Sequence, residues 1–194
     1  MKIILSPAKK MNVDTDSIES AGFPVFVQET KEILNWLKKK SREELKAIWK
    51  CNDMAPAVFE TRQLEYVQSH LRILSAFYGA LKPMDGVTPY RLEMQAKVAI
   101  GDTKNLYDFW GSRLYHEVRD DSGIIINLAS KEYSKCIEKY LSPEDRYITI
   151  TFCESSGGRL VTKGTYAKMA RGEMVRYMAE KLMEDPLDIK KFDR

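Results

Sequence analysis

Arg91 and Glu93, two residues apart in Pro89-Tyr90-Arg91-Leu92-Glu93-Met94, are the side chains whose types and spacing speak most directly of chemistry. On an extended backbone successive side chains alternate faces, so Arg91 and Glu93 point one way and Tyr90, Leu92 and Met94 the other. A cation and an anion aimed together off an apolar segment form either a structural ion pair or part of a site. Three further segments share one pattern: Ser6 to Lys9, Asn127 to Ser130, and Lys163 to Thr165 each place small polar residues just past a strand-like run. In open α/β sheets ligands gather at the carboxyl ends of strands, where a helix N-terminus also favours anions. If these ends converge, Lys9, Arg91 and Lys163 line an anion-binding cleft. Glu93 is then a counter-charge or a base, with Lys9 as its catalytic companion. Taken singly, Ser130 and Thr165 read as plain caps and Lys9 as a solvated cation, because caps occur wherever helices start.

Other constellations are missing. There is no G-x-S-x-G, no P-loop, and no G-x-G-x-x-G after a strand. His70 and His116 lack partners at ligand or catalytic spacing, and Asp85 between Pro83-Met84 and Gly86 reads as a turn former. Cys51, Cys136 and Cys153 are odd in number and far apart, which suggests buried free thiols in a reducing cytoplasm rather than disulfides or zinc. No metal site or cofactor is indicated. The 31 basic residues against 28 acidic leave only a mild positive balance. Any nucleic-acid affinity must therefore come from a local patch. The apolar run at Ile3-Ile4-Leu5 is too short for a signal peptide or membrane span.

The elements that must hold these residues are those of an α/β (mixed α+β) chain long enough for one well-cored domain, residues 1–194. Ile3-Ile4-Leu5 and Ile124-Ile125-Ile126-Asn127 read as buried strands, the latter leading to a helix from Ser130 to Tyr140. A helix around Thr30 to Lys39 turns Ile33, Leu34 and Leu37 inward. The S-x-x-E pattern Ser41-Arg42-Glu43-Glu44 opens a second helix running to Cys51. Asn105 to Val118 reads as one helix with a core stripe of Leu106, Phe109, Trp110, Leu114 and Val118. Tyr147 to Phe152 reads as a strand that Arg159 to Lys163 can pair with across Ser155-Ser156-Gly157-Gly158. The last helix, after Gly164, buries Tyr166, Met169, Ala170, Met174, Tyr177 and Met178 and turns Lys168, Arg171 and Arg176 outward. His70 to Gly79 reads as an apolar helix. With the turn at Pro83 it outlines a helix-hairpin-helix from Leu71 to Arg91, whose cations Arg72, Lys82 and Arg91 suit a nucleic-acid backbone.

Several strings together carry a resemblance. Ser6-Pro7-Ala8-Lys9, Leu71-Arg72-Ile73-Leu74-Ser75 with Phe77-Tyr78-Gly79, Pro89 to Met94, Asn105-Leu106-Tyr107-Asp108-Phe109-Trp110-Gly111, Asn127-Leu128-Ala129-Ser130, and Tyr166-Ala167-Lys168 with Ala170-Arg171-Gly172 occur in this order. Over its whole length the chain resembles the YaaA family of bacterial peroxide-stress proteins. It departs in two places: family members carry several tens of further residues between the positions of Asp53 and Met54, and they continue past Asp193. A segment left out of the chain accounts for this better than a shortened relative does, because every flanking motif survives.

The resemblance implies a cytoplasmic protein that lowers free iron and protects DNA under peroxide. It also implies the "cantaloupe" fold, central strands surrounded by helices, with a helix-hairpin-helix that falls by position between Leu71 and Arg91. On this reading Lys9, Arg72, Lys82, Arg91, Asn127, Ser130, Lys163, Lys168 and Arg171 are the candidates for DNA or anion binding. The rival reading is an enzyme acting on a nucleotide or nucleobase, with Lys9 and Arg91 on an anionic group and Glu93 as acid or base. The expected partners are DNA without sequence preference, or a nucleotide-like small molecule. No membrane is implied, and no protein partner is identified.

Overall fold

A computed structural model describes residues 1–7, 20–40 and 61–193 of the chain. Its centre is a five-stranded sheet of β1 (Lys2–Leu5), β2 (Leu71–Ser75), β3 (Gly79–Leu81), β4 (Ile124–Asn127) and β5 (Arg146–Thr149), in the order β3-β2-β1-β4-β5. All neighbours run parallel except β2 and β3, which form an antiparallel hairpin. The β-branched runs Ile3-Ile4 and Ile124-Ile125-Ile126 suit strands covered on both faces, where alternation gives way to continuous apolar sequence. Register pairs Ile3 with Ile126 and Ile4 with Asn127, so β1 and β4 end together.

Two apolar layers cover the sheet, one on each face. On one side Ile4, Leu74 and Ile125 meet α1 (Val27–Lys38), α3 (Leu106–Trp110), α4 (Arg113–Val118) and α5 (Lys131–Glu138). There Trp110 is fully buried, and its indole N–H donates to the Ala76 carbonyl at 3.0 Å. On the other side Ile3, Leu71, Ile126 and Leu128 meet α2 (Thr61–His70), α6 (Gly164–Glu180) and a terminal 3₁₀ turn (Pro186–Lys191). The result is a mixed α/β architecture with helices flanking a central sheet.

Several expectations change. Leu71 to Leu81 is a β-hairpin, not an apolar helix, so no helix lies between Leu71 and Arg91 and that stretch does not form the expected helix-hairpin-helix. The chain turns at Gly79, whose φ of 80° favours glycine and where a Cβ would stand 2.7 Å from the Phe26 ring. The expected helix from Asn105 to Val118 is two short helices broken at Gly111, φ 53°. Arg159 to Val161 pairs as β7 (Arg159–Val161) with β6 (Glu154–Ser156), not with the strand at Arg146–Thr149, which instead extends the main sheet beside β4. In α6 the buried face runs through Ala167, Met174, Tyr177 and Met178, while Tyr166 and Met169 stand exposed. Leu34 of α1 is also exposed, with Ile33 buried. The helix expected from Ser41 to Cys51 lies outside the described residues, as does Lys9.

Candidate functional site at the carboxyl edge of the sheet

The chain passes from β1 to β2 on one side and later places β4 on the other. The sheet order therefore reverses between β1 and β4, and connections leave in opposite directions there, the place where open α/β sheets hold ligands. Ser6 ends β1 and Ser130 opens α5 after β4. The Ser6 hydroxyl accepts the Ser130 N–H at 2.8 Å and donates to the Ser130 hydroxyl at 3.2 Å, joining the two strand ends. Ser130 thus holds the expected N-cap position of α5, but its side chain makes no capping bond and faces Ser6 instead. Asn127 is buried and shapes the same turn. Its amide donates to the Thr149 hydroxyl at 3.2 Å, and its carbonyl accepts the Ala129 N–H at 2.9 Å.

The segment bearing Arg91 and Glu93 is anchored to this edge from the β2 side. Ser75, wholly buried at the end of β2, accepts the N–H groups of Phe77 at 3.2 Å and Tyr78 at 2.8 Å. Its hydroxyl also shares a 2.6 Å hydrogen bond with that of Tyr90. The Tyr90 ring stacks on Phe77, with centroids 5.2 Å apart, and meets Tyr78 edge-on. Burial pushes the Tyr90 hydroxyl up to about 12, against the opposing pull of Ser75, so Tyr90 stays neutral as an anchor. Leu92 and Met94 are buried beside it, which leaves Arg91 and Glu93 on the opposite side, the alternation the sequence predicts.

The far end of the segment reaches the first turn of α5. Glu93 accepts from the Gln95 amide at 3.4 Å, and the Gln95 N–H donates to Glu132 at 3.3 Å. The nearby Tyr133 hydroxyl is pushed well above its ordinary range by burial first, then by Tyr90, Glu132 and Glu93. Arg91 Nε is buried and has no hydrogen-bond partner among the described residues. A buried donor left without an acceptor costs about 1–3 kcal/mol, so this guanidinium suits a site that takes an anionic oxygen.

Across the sheet, Arg171 shares this feature: its buried Nε has no partner among the described residues, and burial lowers its pKa. Arg171 lies between Ala167 and Met174 on the inward face of α6, not on its solvent side as expected. Lys163, in the N-cap position of α6, is ion-paired with Glu154 at 2.6 Å, and Lys168 is exposed.

Two expected cations belong elsewhere. Arg72 is buried at the amino end of β2, with its Nε 3.1 Å from Glu117 and its Nη1 3.0 Å from the Leu71 carbonyl. Lys82 follows β3, whose antiparallel run carries it to that same amino edge, where Asp85 forms the expected turn by accepting its N–H at 2.9 Å. Burial and then the Arg72 charge lower the Lys2 pKa, with Lys82 adding to the effect. The hydroxyls of Ser75 and Tyr90 were not singled out by sequence. Ser75 looks like any polar residue in an apolar run, and Tyr90 was assigned only to the apolar side. Among the described residues no three His, Cys, Asp or Glu side chains gather to hold a metal, and no helix there is long and apolar enough to cross a membrane.

A family model described as peroxide stress protein YaaA matches residues 1–56 and 52–194. A UPF0246 protein of Agathobacter rectalis is 64% identical over 227 residues, covering 100% of this chain and 91% of the relative. Similar proteins are found in Lachnoclostridium phytofermentans, 49% identical with 100% and 89% covered, and in Ligilactobacillus salivarius, 44% identical with 99% and 91% covered. The Agathobacter alignment spans 227 positions against the 194 residues here, so the relative holds positions with no counterpart in this chain. The two matched stretches meet at 52–56. With the whole chain matched by the family model and by these relatives, the protein belongs to the peroxide stress protein YaaA family.

Proposed function

We propose that the chain serves peroxide-stress resistance in the cytoplasm, lowering free iron and protecting DNA, and that it binds DNA with little sequence preference. The contacts are to phosphate, at the carboxyl edge of β1, β2 and β4. The observation that carries this reading is the Arg91 guanidinium, whose buried Nε has no partner among the described residues, on a segment pinned beside the point where the sheet order reverses. Phosphate oxygen is the acceptor such a donor lacks, and contact with backbone oxygens carries no base information. Arg171, Lys163 and Lys168 supply further positive charge from α6 and its N-cap, in place of Arg72 and Lys82. A labelled duplex of mixed sequence, titrated across a salt series, tests the reading. With four phosphate contacts the log–log slope of affinity against salt is about −3.6, and Arg91→Gln weakens binding at every salt concentration. Absence of binding at low salt ends the proposal.

One feature favours a second reading, an enzyme acting on a nucleotide or nucleobase. Glu93 sits beside Tyr133 and Glu132 on the same segment as Arg91, and a carboxylate there repels a DNA backbone. Thermal shift against nucleotides and nucleobases discriminates, since a pocket ligand stabilises the native state by mass action. In that case Glu93→Gln abolishes turnover and retains binding.

A further inference from the structure

Ser75 fixes the direction of its 2.6 Å hydrogen bond with Tyr90. A serine hydroxyl has one proton to donate and two lone pairs with which to accept. Both lone pairs of Ser75 are taken, by the Phe77 N–H at 3.2 Å and the Tyr78 N–H at 2.8 Å. The bond to Tyr90 therefore uses the Ser75 proton, with the Tyr90 oxygen as acceptor. In keeping with this, Ser75 lowers the Tyr90 pKa, the effect of a donor on a phenol oxygen. The Tyr90 O–H is left over, and no acceptor for it lies among the described residues.

Tyr133 repeats the arrangement from α5. Its side chain is buried, and the Met94 N–H is directed at its oxygen. This hydroxyl also accepts without an acceptor of its own among the described residues. Tyr133 feels the charges of Tyr90, Glu132 and Glu93, which sets its hydroxyl beside the 90–94 segment. By contrast Tyr66, Tyr78, Tyr107 and Tyr115 each donate to a carbonyl or carboxylate. Around the pair, Phe77 and Tyr78 pack on the Tyr90 ring, and Met94 is fully buried. Tyr90 and Glu93 are half-buried, so solvent reaches this side of the segment.

We infer that the Tyr90 and Tyr133 hydroxyls form a donor pair for the carbonyl oxygen of a neutral planar ring, which makes the ligand a keto nucleobase rather than an amino one. The chemistry of the pair selects this class. Two donors without acceptors call for an acceptor oxygen. Glu93 and Glu132 beside Tyr133 oppose an anionic one. Aromatic and apolar neighbours suit a flat ring. An amino group in the same place sets donor against donor. The inference rests on the nucleobase reading above and adds the class of base to it. Arg91, on the opposite side of the segment, keeps its phosphate role.

The test is calorimetric titration of the native protein with inosine against adenosine and uridine against cytidine, pairs that differ by a keto oxygen against an amino group. In at least one pair the keto member should bind about tenfold more tightly or better, the effect of one hydrogen bond. Tyr90→Phe and Tyr133→Phe, with folding checked by circular dichroism, should each reduce that ratio to about threefold or less, and together to about one. Tyr115→Phe, whose hydroxyl donates to Asp145, should keep the native ratio. Equal affinity within both pairs, or an amino preference, overturns the donor pair and leaves the nucleobase reading standing. A keto preference that survives in both single variants and in the double variant also overturns it. Binding of none of these nucleosides at millimolar concentration overturns the inference together with the nucleobase reading.

Discussion

Arg72 is a cation that sequence assigns to DNA and structure assigns to the core, and its removal separates the two roles. Its side chain is 7% exposed, its Nε lies 3.1 Å from Glu117, and its Nη1 donates to the Leu71 carbonyl at 3.0 Å. Weaker contacts from the same nitrogen reach the Gln68 and Ser69 carbonyls at the end of α2. The guanidinium therefore ties the end of α2, the start of β2 and helix α4 together. Arg72→Gln leaves Glu117 without its partner, and loss of one member of a buried pair costs about 3–5 kcal/mol. Glu117 is 22% exposed and recovers some hydration, which places the expected loss at the low end, about 3 kcal/mol. With a urea m-value of about 2 kcal/mol/M the unfolding midpoint falls by about 1.5 M. Fluorescence of the buried Trp110 follows the transition, and a double-mutant cycle with Glu117→Gln isolates the pair. Folded Arg72→Gln should keep the native salt slope for DNA. A midpoint shift below about 0.3 M, or a shallower DNA slope, refutes the structural assignment.

Ser75→Ala strips the acceptor from two backbone N–H groups and the partner from the Tyr90 hydroxyl, and should cost about 2–4 kcal/mol in urea unfolding. Tyr90→Phe removes one of those bonds and should cost about 1 kcal/mol; the reverse order contradicts the anchoring role. Gly79→Ala sets a Cβ 2.7 Å from the Phe26 ring and 2.8 Å from Trp110 at a φ of 80°. The same urea series should show it losing more than about 2 kcal/mol, the sum of strain and overpacking. Burial raises the Asp145 pKa, but hydrogen bonds from the Tyr115 hydroxyl, the Ser142 N–H and Arg119 outweigh it and leave the carboxyl below its usual range. Its ionised form stabilises the native state above the unfolded value of about 3.9, and that stabilisation disappears as pH falls through the folded value. Asp145→Asn should therefore flatten the acid limb of the stability profile between about pH 5 and 2, measured by denaturant midpoints.

The carboxyl-edge site was legible where strand and turn chemistry are local. Ile3-Ile4-Leu5 and Ile124 to Asn127 are too β-branched and too short for helices, and the polar residues just past them converge as Ser6 and Ser130. Leu71 to Ser75 suggests a helix and forms a strand because a strand buried on both faces is a continuous apolar run, which periodicity cannot tell from a buried helical turn. Arg72 and Lys82 therefore lie at the amino edge, since strand direction decides which edge a residue occupies and no local pattern encodes it. In α6 the inward face is set by small Ala167 below Met174. Hydrophobicity gives more weight to Tyr166 and Met169, so the face expected from sequence is rotated from the observed one and turns both side chains inward.

The claim that the carboxyl edge of the sheet meets DNA is tested most directly by backbone hydrogen exchange with and without a saturating short duplex. The account predicts slowed exchange at 90–95, 129–133 and 163–168, with no change at 68–72 and 82–86 on the amino edge. Protection confined to 68–72 and 82–86 contradicts it and returns the DNA contact to the neighbourhood of Arg72 and Lys82.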